Sequence, residues 1–495
     1  MSSHLKPKLL RRFYEVLILL RVLGQVQGER IRAPDLEDGS LDRLDLKQMR
    51  RLVMYHLCVM CDYEKGGATV TAMAAQNHPS GPQYWIAVNG SLSKIRKFLV
   101  ETLASLQARA GETLSSPSQT TTSFEQTLFT KFAEIQRART KTYWDFMQKH
   151  VKTELKRAEA YPTRRAKNLG YAAWLEPLQS SRHRIDPHGL CELAYQVRRS
   201  SYLRVDYDPV SGGSVFTENE ARSSLRHLVG RLCAVKRAAR ILTYACASHP
   251  QLFEGANVLA LKCPAATPAP SAYPGLTSSG ISNRVFPSSS STELQDFQAV
   301  LQRLEDQGMR LIDGVRDYYA SKDWRPKVHA ELTLLEALHA HQGNFFDNDK
   351  YIACSKPACF CCYHYICAHP GGFARPDCHN KVYHSWQPPA LPSTTSSKLK
   401  DEQSRVMNSL VQQVRQAVVE KVSNIRRYAK WHADSTTGLT AFTVESVAGS
   451  EVGDHCGDEE EVFSGASDLV EDGPTQADVT SDGSEESEDG GVSLL

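Results

Sequence analysis

Four side chains able to share a metal-assisted acid–base site fall in one short stretch: His329, Glu331, Cys359 and Cys362. A catalytic zinc ion takes three protein ligands and leaves its fourth position to water. Bound there, the ion lowers the pKa of that water toward neutrality and makes it a nucleophile. One imidazole and two thiolates meet the ligand requirement, and a carboxylate beside them can carry the proton. The spacing predicts how they meet. Cys359 and Cys362 stand at i and i+3, so on a helix both sulfurs face one way, while Cys361 points elsewhere. Lys356-Pro357 suits a helix start, and a helix N-terminus favours thiolate over thiol. His329 and Glu331 are two apart, and both reach one small cavity where the chain enters a helix.

Several elements must position these groups. Leu332, Leu334, Leu335 and Leu338 give the segment after Glu331 an apolar helical side. Lys350–Cys354 reads as a short buried strand, and the helix carrying the cysteines runs through Tyr363–Cys367 to a stop at Pro370-Gly371-Gly372. Lys381–Trp386 reads as a further strand. Far upstream, Thr69–Ala75 and Gln83–Val88 flank the turn cluster Asn77–Gly81 and predict a hairpin closed by Asn89-Gly90. A structural zinc site remains the alternative, with Cys361, Cys354 or His364 as a fourth ligand; so does a redox cysteine pair.

Taken together, His329-Ala330-Glu331 and Cys359-Phe360-Cys361-Cys362 resemble the His-x-Glu and Pro-Cys-x-x-Cys signature of the zinc-dependent cytidine-deaminase-like superfamily. Ser355-Lys356-x-x-Cys359-x-x-Cys362 is similar to a fungal branch of predicted nucleic acid/nucleotide deaminases. The chain departs from the common pattern in one place, since Ala358 separates Pro357 from Cys359. The resemblance implies an α/β fold, a three-layer α/β/α core with a mixed sheet. It also implies Zn2+ held by His329, Cys359 and Cys362, with Glu331 as proton carrier. Asn89, Ser355 and Trp386 would touch the substrate, a nucleoside, nucleotide or single-stranded nucleic acid. Trp386 reads equally as a wall of the base pocket that stacks on the base or as a core tryptophan.

Only a small part of the 495 residues is needed for that motif. The expected organisation is N-terminal helices over 1–65 and a split core over 66–110 and 310–390. A mostly helical insertion with flexible linkers (115–123 and 264–291) covers 111–309. A C-terminal helix over 391–434 and a disordered acidic tail over 435–495 complete it. Helices are expected near 5–25, 44–60, 91–110, 124–160, 218–249, 293–319 and 398–432. Residues 441–495 hold 16 acidic and no basic side chains, so the rest of the chain carries 58 basic against 40 acidic ones. A basic body with an acidic tail is compatible with polyanion binding. Between 164 and 207, Arg and Lys interleave with Tyr171, Trp174, Tyr195, Tyr202 and Tyr207, a pattern that fits either base stacking or a solvated basic face over core aromatics.

Of the 13 cysteines, five crowd between Cys354 and Cys367 beside histidines, which favours metal over disulfides. Cys58-x-x-Cys61 lacks a second pair and reads as core sulfur. The histidines at 339, 341, 364, 369, 379 and 384 read as core or surface residues. The apolar run Tyr14–Leu20 is too short and too closely flanked by charge to span a membrane. No secretory signal is recognised, so the expected location is intracellular, and Thr163–Lys167 is too thin for a nuclear signal.

Overall fold

The computed structural model describes residues 5–24, 28–32, 41–113, 120–160, 165–180, 186–203, 220–267, 276–286, 291–392 and 394–423. The acidic tail, and Tyr207, lie outside them.

The hairpin forms where the β-branched and aromatic residues predict it. β1 (Thr71–His78) pairs antiparallel with β2 (Gly81–Val88), with His78 opposite Gly81. Strand side chains alternate between faces. Ala72 and Ala74 thus enter one apolar cluster while Met73 and Ala75 enter the other. Two more strands complete a mixed sheet of order β3-β2-β1-β4: β3 (Asn257–Lys262) runs parallel to β2, and β4 (Ala353–Cys354) antiparallel to β1. At the turn, Gly81 takes φ 134° and Gly255 φ 63°. A Cβ on Gly255 would lie 1.4 Å from Ser80 O. Only glycine lets the two backbones touch there, and the touch sets β3 alongside β2.

Helices cover both faces of this sheet, giving three layers. On one side lie α1 (Pro7–Val22), α9 (Ser278–Val285), α10 (Ser291–Asp306), α11 (Leu311–Ala320), α12 (Ala330–Ala340), α13 (Phe360–Ala368) and α14 (Ser397–Ser423). On the other lie α2 (Leu46–Cys61), α3 (Ser93–Thr113), α4 (Thr120–Ile135) and much of α8 (Glu220–Ser248). A third apolar cluster is built by α5 (Arg137–Glu159), α6 (Arg165–Ser180), α7 (Pro187–Val197) and the first part of α8. Tyr171 and Tyr195 are buried in it, so they serve as core rather than as base-stacking platforms.

Several local expectations change. Lys381–Trp386 forms no strand; Trp386 makes a single bridge to Lys327, and its loop instead wraps the helix ends. The Lys350–Cys354 strand shrinks to its last two residues. The expected 264–291 linker contains α9, capped by Thr277, whose hydroxyl accepts from Gly280 N at 3.0 Å. Long helical patterns break at Gln136 and at 307–310, giving α4/α5 and α10/α11. β3 emerges from a stretch expected to be helical or linker.

One buried ion network fixes the approach to β4. Asp349 accepts from Arg51 at 2.7 and 3.0 Å and from Arg50 at 3.1 Å, and all three are buried. Burial pushes the Asp349 carboxyl up, but hydrogen bonds and charge from Arg51 and Arg50 outweigh it and hold the group below its ordinary value. The stabilisation is therefore present at neutral pH and is lost as pH falls below about 3.9. Asp349→Ala leaves two guanidinium groups buried without that partner. It should cost about 3–5 kcal/mol in a denaturant titration at pH 7, and the difference from wild type should shrink toward pH 3.

Candidate metal centre

Two helix starts converge at the sheet edge. His329 is the residue before α12, with extended backbone (φ −85°, ψ 150°), and Cys359 is the residue before α13 (φ −79°, ψ 169°). The Cys359 sulfur caps its own helix, accepting from Cys362 N at 3.5 Å. The helix thus begins at Phe360, and the displaced Pro357 leaves it intact. His329 Nδ1 lies 3.6 Å from Cys359 Sγ and 3.3 Å from Cys362 Sγ. All three donor atoms fall within 4.8 Å of one another, and no other such group of three occurs among the described residues.

The donor set fits zinc. Bonds of about 2.0–2.1 Å to nitrogen and 2.3 Å to sulfur at a tetrahedral angle imply an N···S edge of roughly 3.6 Å. The observed separations match that edge. Both sulfurs are buried and the imidazole is nearly so. Among the described residues no fourth ligand joins the group, so Cys361, Cys354 and His364 do not close it. Glu331 Oε1 stands 4.0 Å from His329 Nδ1 on a buried carboxylate.

Protonation follows from crowding. Burial alone would raise Cys359, yet the Cys362 hydrogen bond and the His329 charge pull it down to about 6. Burial, then the neighbouring Cys359, pushes Cys362 well up. Burial lowers His329, but the charge and hydrogen bond of Cys359 outweigh it and the net shift is upward. The aligned amides of α12 and α13 add positive potential at both starts.

The remaining sequence-derived residues surround this group in different ways. Asn89 closes β2 and spans the gap to α12: its Oδ1 accepts from Ala330 N at 2.8 Å, and its Nδ2 donates to Gly67 O at 3.0 Å. It therefore pins the helix start that carries His329 and Glu331. Ser355 is buried, and its hydroxyl accepts from Thr71 N at 3.3 Å, tying the approach to Cys359 onto β1. Trp386 has no exposed surface on which a base could stack. Its ring instead lies behind the site, with Nε1–H donating to Cys362 Sγ at 3.2 Å. Phe13 packs on it edge-on at 5.3 Å, and Tyr14 donates to Trp386 O at 3.3 Å. This support from α1 had no sequence signal beyond an apolar helix.

Other candidates disperse. Cys58 and Cys61 are buried in the opposite layer, their thiols pushed up by burial. His339 pairs with Glu402 at 3.1 Å, and His369 lies 3.8 Å from Glu336, behind α12. The aromatic Tyr383 faces the His329 ring at 5.8 Å.

Residues 328–390 match the family model described as OTT_1508_deam-like deaminase. The match covers the whole ligand group and its supporting Trp386, and the segment is deaminase-like. No curated protein and no solved structure matches the chain.

Each donor must shed its proton to bind metal, so zinc affinity should fall with pH. Below about 6, where Cys359 also protonates, the dependence should steepen by one power of ten per pH unit. Chelator competition across pH 5–8 measures this. Trp386→Phe keeps the ring and removes the N–H donor, and should weaken zinc by about 10–100-fold in the same assay.

Proposed function

We propose that this chain is a zinc-dependent hydrolytic deaminase acting on cytosine or adenine in a nucleotide or nucleic acid, similar to the fungal nucleic acid/nucleotide branch of the cytidine-deaminase-like superfamily. The observation that carries the reading is the convergence of His329, Cys359 and Cys362 with the buried Glu331 carboxylate at their side. The deaminase-like match over the same residues supports it.

An ion held by these three residues supplies Lewis acidity and a water whose pKa lies near neutrality. Glu331, beside the three donors, would accept one proton of the hydrolytic water as that water adds to the amidine carbon. Glu331 would pass that proton to the ring nitrogen and then carry the second water proton, released as the added hydroxyl becomes the carbonyl, to the exocyclic amine, so that the C–N bond breaks and ammonia leaves. Asn89 keeps Glu331 aimed by holding the first amide of α12. Burial around both cysteines excludes competing solvent ligands.

A structural zinc module without turnover is the second reading. Its support is the tight burial of the cysteines; against it stands Glu331, a carboxylate that a purely structural site does not need. A thiolate-liganded centre suits a reducing intracellular setting. No helix among the described residues is long and apolar enough to cross a membrane.

Ammonia release from a panel of cytosine and adenine nucleosides, nucleotides and single-stranded nucleic acids, with bound metal quantified in parallel, tests the proposal. Glu331→Gln should keep one zinc per chain and lose about 10²–10⁴ in rate. Cys359→Ser should lose the metal and the activity together. Full turnover by metal-loaded Glu331→Gln would refute the assigned proton carrier.

A further inference from the structure

The excess of positive charge has a place in the fold. On α5, Lys141, Lys149, Lys152 and Lys156 are exposed and recur at helical spacing along one side, interrupted by Asp145. At about 1.5 Å per residue the row is roughly 22 Å long. Its middle meets the loop after α2. The ammonium of Lys65 lies 4.3 Å above the half-buried Phe146 ring, and that of Lys149 lies 5.9 Å from the same ring.

The same loop reaches both helix starts of the metal centre. Lys356, three residues before Cys359, donates from Nζ to Gly66 O at 2.6 Å. Gly67 O accepts from Asn89, which holds α12, and the Lys327 ammonium lies 3.8 Å from where a Gly67 Cβ would stand. Lys65, Lys356 and Lys327 thus continue the row to the site.

A buried anchor holds this path rigid. Asp62, at the end of α2, pairs with Arg139 of α5 at 2.8 Å, and both are buried. The second Asp62 oxygen accepts from Thr69 Oγ1 at 2.8 Å, and Gln136 Nε2 donates to Met60 O at 2.8 Å. The loop and the start of α5 therefore move as one piece. The exposed acidic side chains of α5 and of the loop after α2 are Asp145, Glu159 and Glu64.

The geometry points to a single-stranded nucleic acid as the substrate, its phosphates running along the α5 lysines and over the Lys65 loop into the metal centre. This rests on the deaminase reading for the base that is converted. A mononucleotide reaches only the cations beside the site and has no use for a row of this length. A strand uses all of it, since phosphates recur every few ångström and sequence-independent grooves pair cations with aromatic rings.

Fluorescence anisotropy with a labelled single-stranded oligonucleotide, titrated at several salt concentrations with the full zinc-loaded chain, tests this. It needs no turnover, so its outcome is independent of whether ammonia release is found. Each phosphate contact on a single strand contributes about 0.7 to the slope of log affinity against log salt. Combined Lys149→Ala, Lys152→Ala and Lys156→Ala should lower that slope by about 2 and weaken binding more than tenfold at low salt. A control removing equal charge from exposed positions off the row, Arg303→Ala on α10 with Arg310→Ala before α11 and Lys398→Ala on α14, should leave the slope unchanged. Melting temperatures of both variants check that folding is intact. Equal slopes for the two variants, or salt-independent binding by wild type, would overturn the track. So would displacement by poly-glutamate as effective as by unlabelled oligonucleotide, since the row would then be an acidic-protein surface.

Discussion

Three metal-seeking atoms packed within a few ångström in a nearly dry pocket are an unfavourable arrangement without a shared cation. Burial opposes charge on each sulfur, and the two sulfurs oppose each other. The chain holds them together by spending backbone order at two helix starts, each pinned from outside. Asn89 grips one, and Ser355, bonded to Thr71 of β1, grips the approach to the other. Trp386 then fixes the second sulfur from behind, and α1 fixes Trp386. The sheet therefore acts as a jig for donor positions rather than as a source of ligands.

That division explains what the sequence could reveal. His329, Glu331, Cys359 and Cys362 are legible because ligand chemistry restricts residue type and helix geometry restricts spacing. The hairpin is legible from its β-branched and small first run, its aromatic-bearing second run and the turn cluster Asn77–Gly81 between them. Trp386 reads alike as a base-facing wall or a core residue, because a tryptophan near a motif gives no sign of which side it packs; its burial selects the core. Asn89 was placed at the site by resemblance, but its two tethers depend on Gly67 and Ala330, one of them 241 residues away. β3 has no sequence signal of its own, because a four-residue apolar run, Val258–Leu261, reads alike as strand, buried helix or linker until a parallel neighbour is known. The Arg50–Arg51–Asp349 and Arg139–Asp62 pairs were invisible for the same reason, being long-range partners with no local periodicity.

The deaminase-like segment is a small fraction of the molecule, yet the helical remainder is not an appendage. α8 packs against α2, α3, α4, α5 and α7, joining the sheet's outer layer to the third apolar cluster. The Asp62 pair then couples that cluster to the loop beside the centre. Polar groups buried this way add little net stability, but they specify one relative orientation of helix and loop.

The Asn89–Ala330 tether also orders events at the ribosome. The hairpin that bears Asn89 emerges 241 residues before the amide it must hold. At about 5–20 residues per second this delay lasts roughly 10–50 seconds. Throughout it the β1 edge lacks β4, whereas β2 gains β3 earlier. An unpaired strand edge recruits other chains, so β4, two residues long, does more than complete the sheet: it covers the β1 edge that the nascent chain leaves open longest.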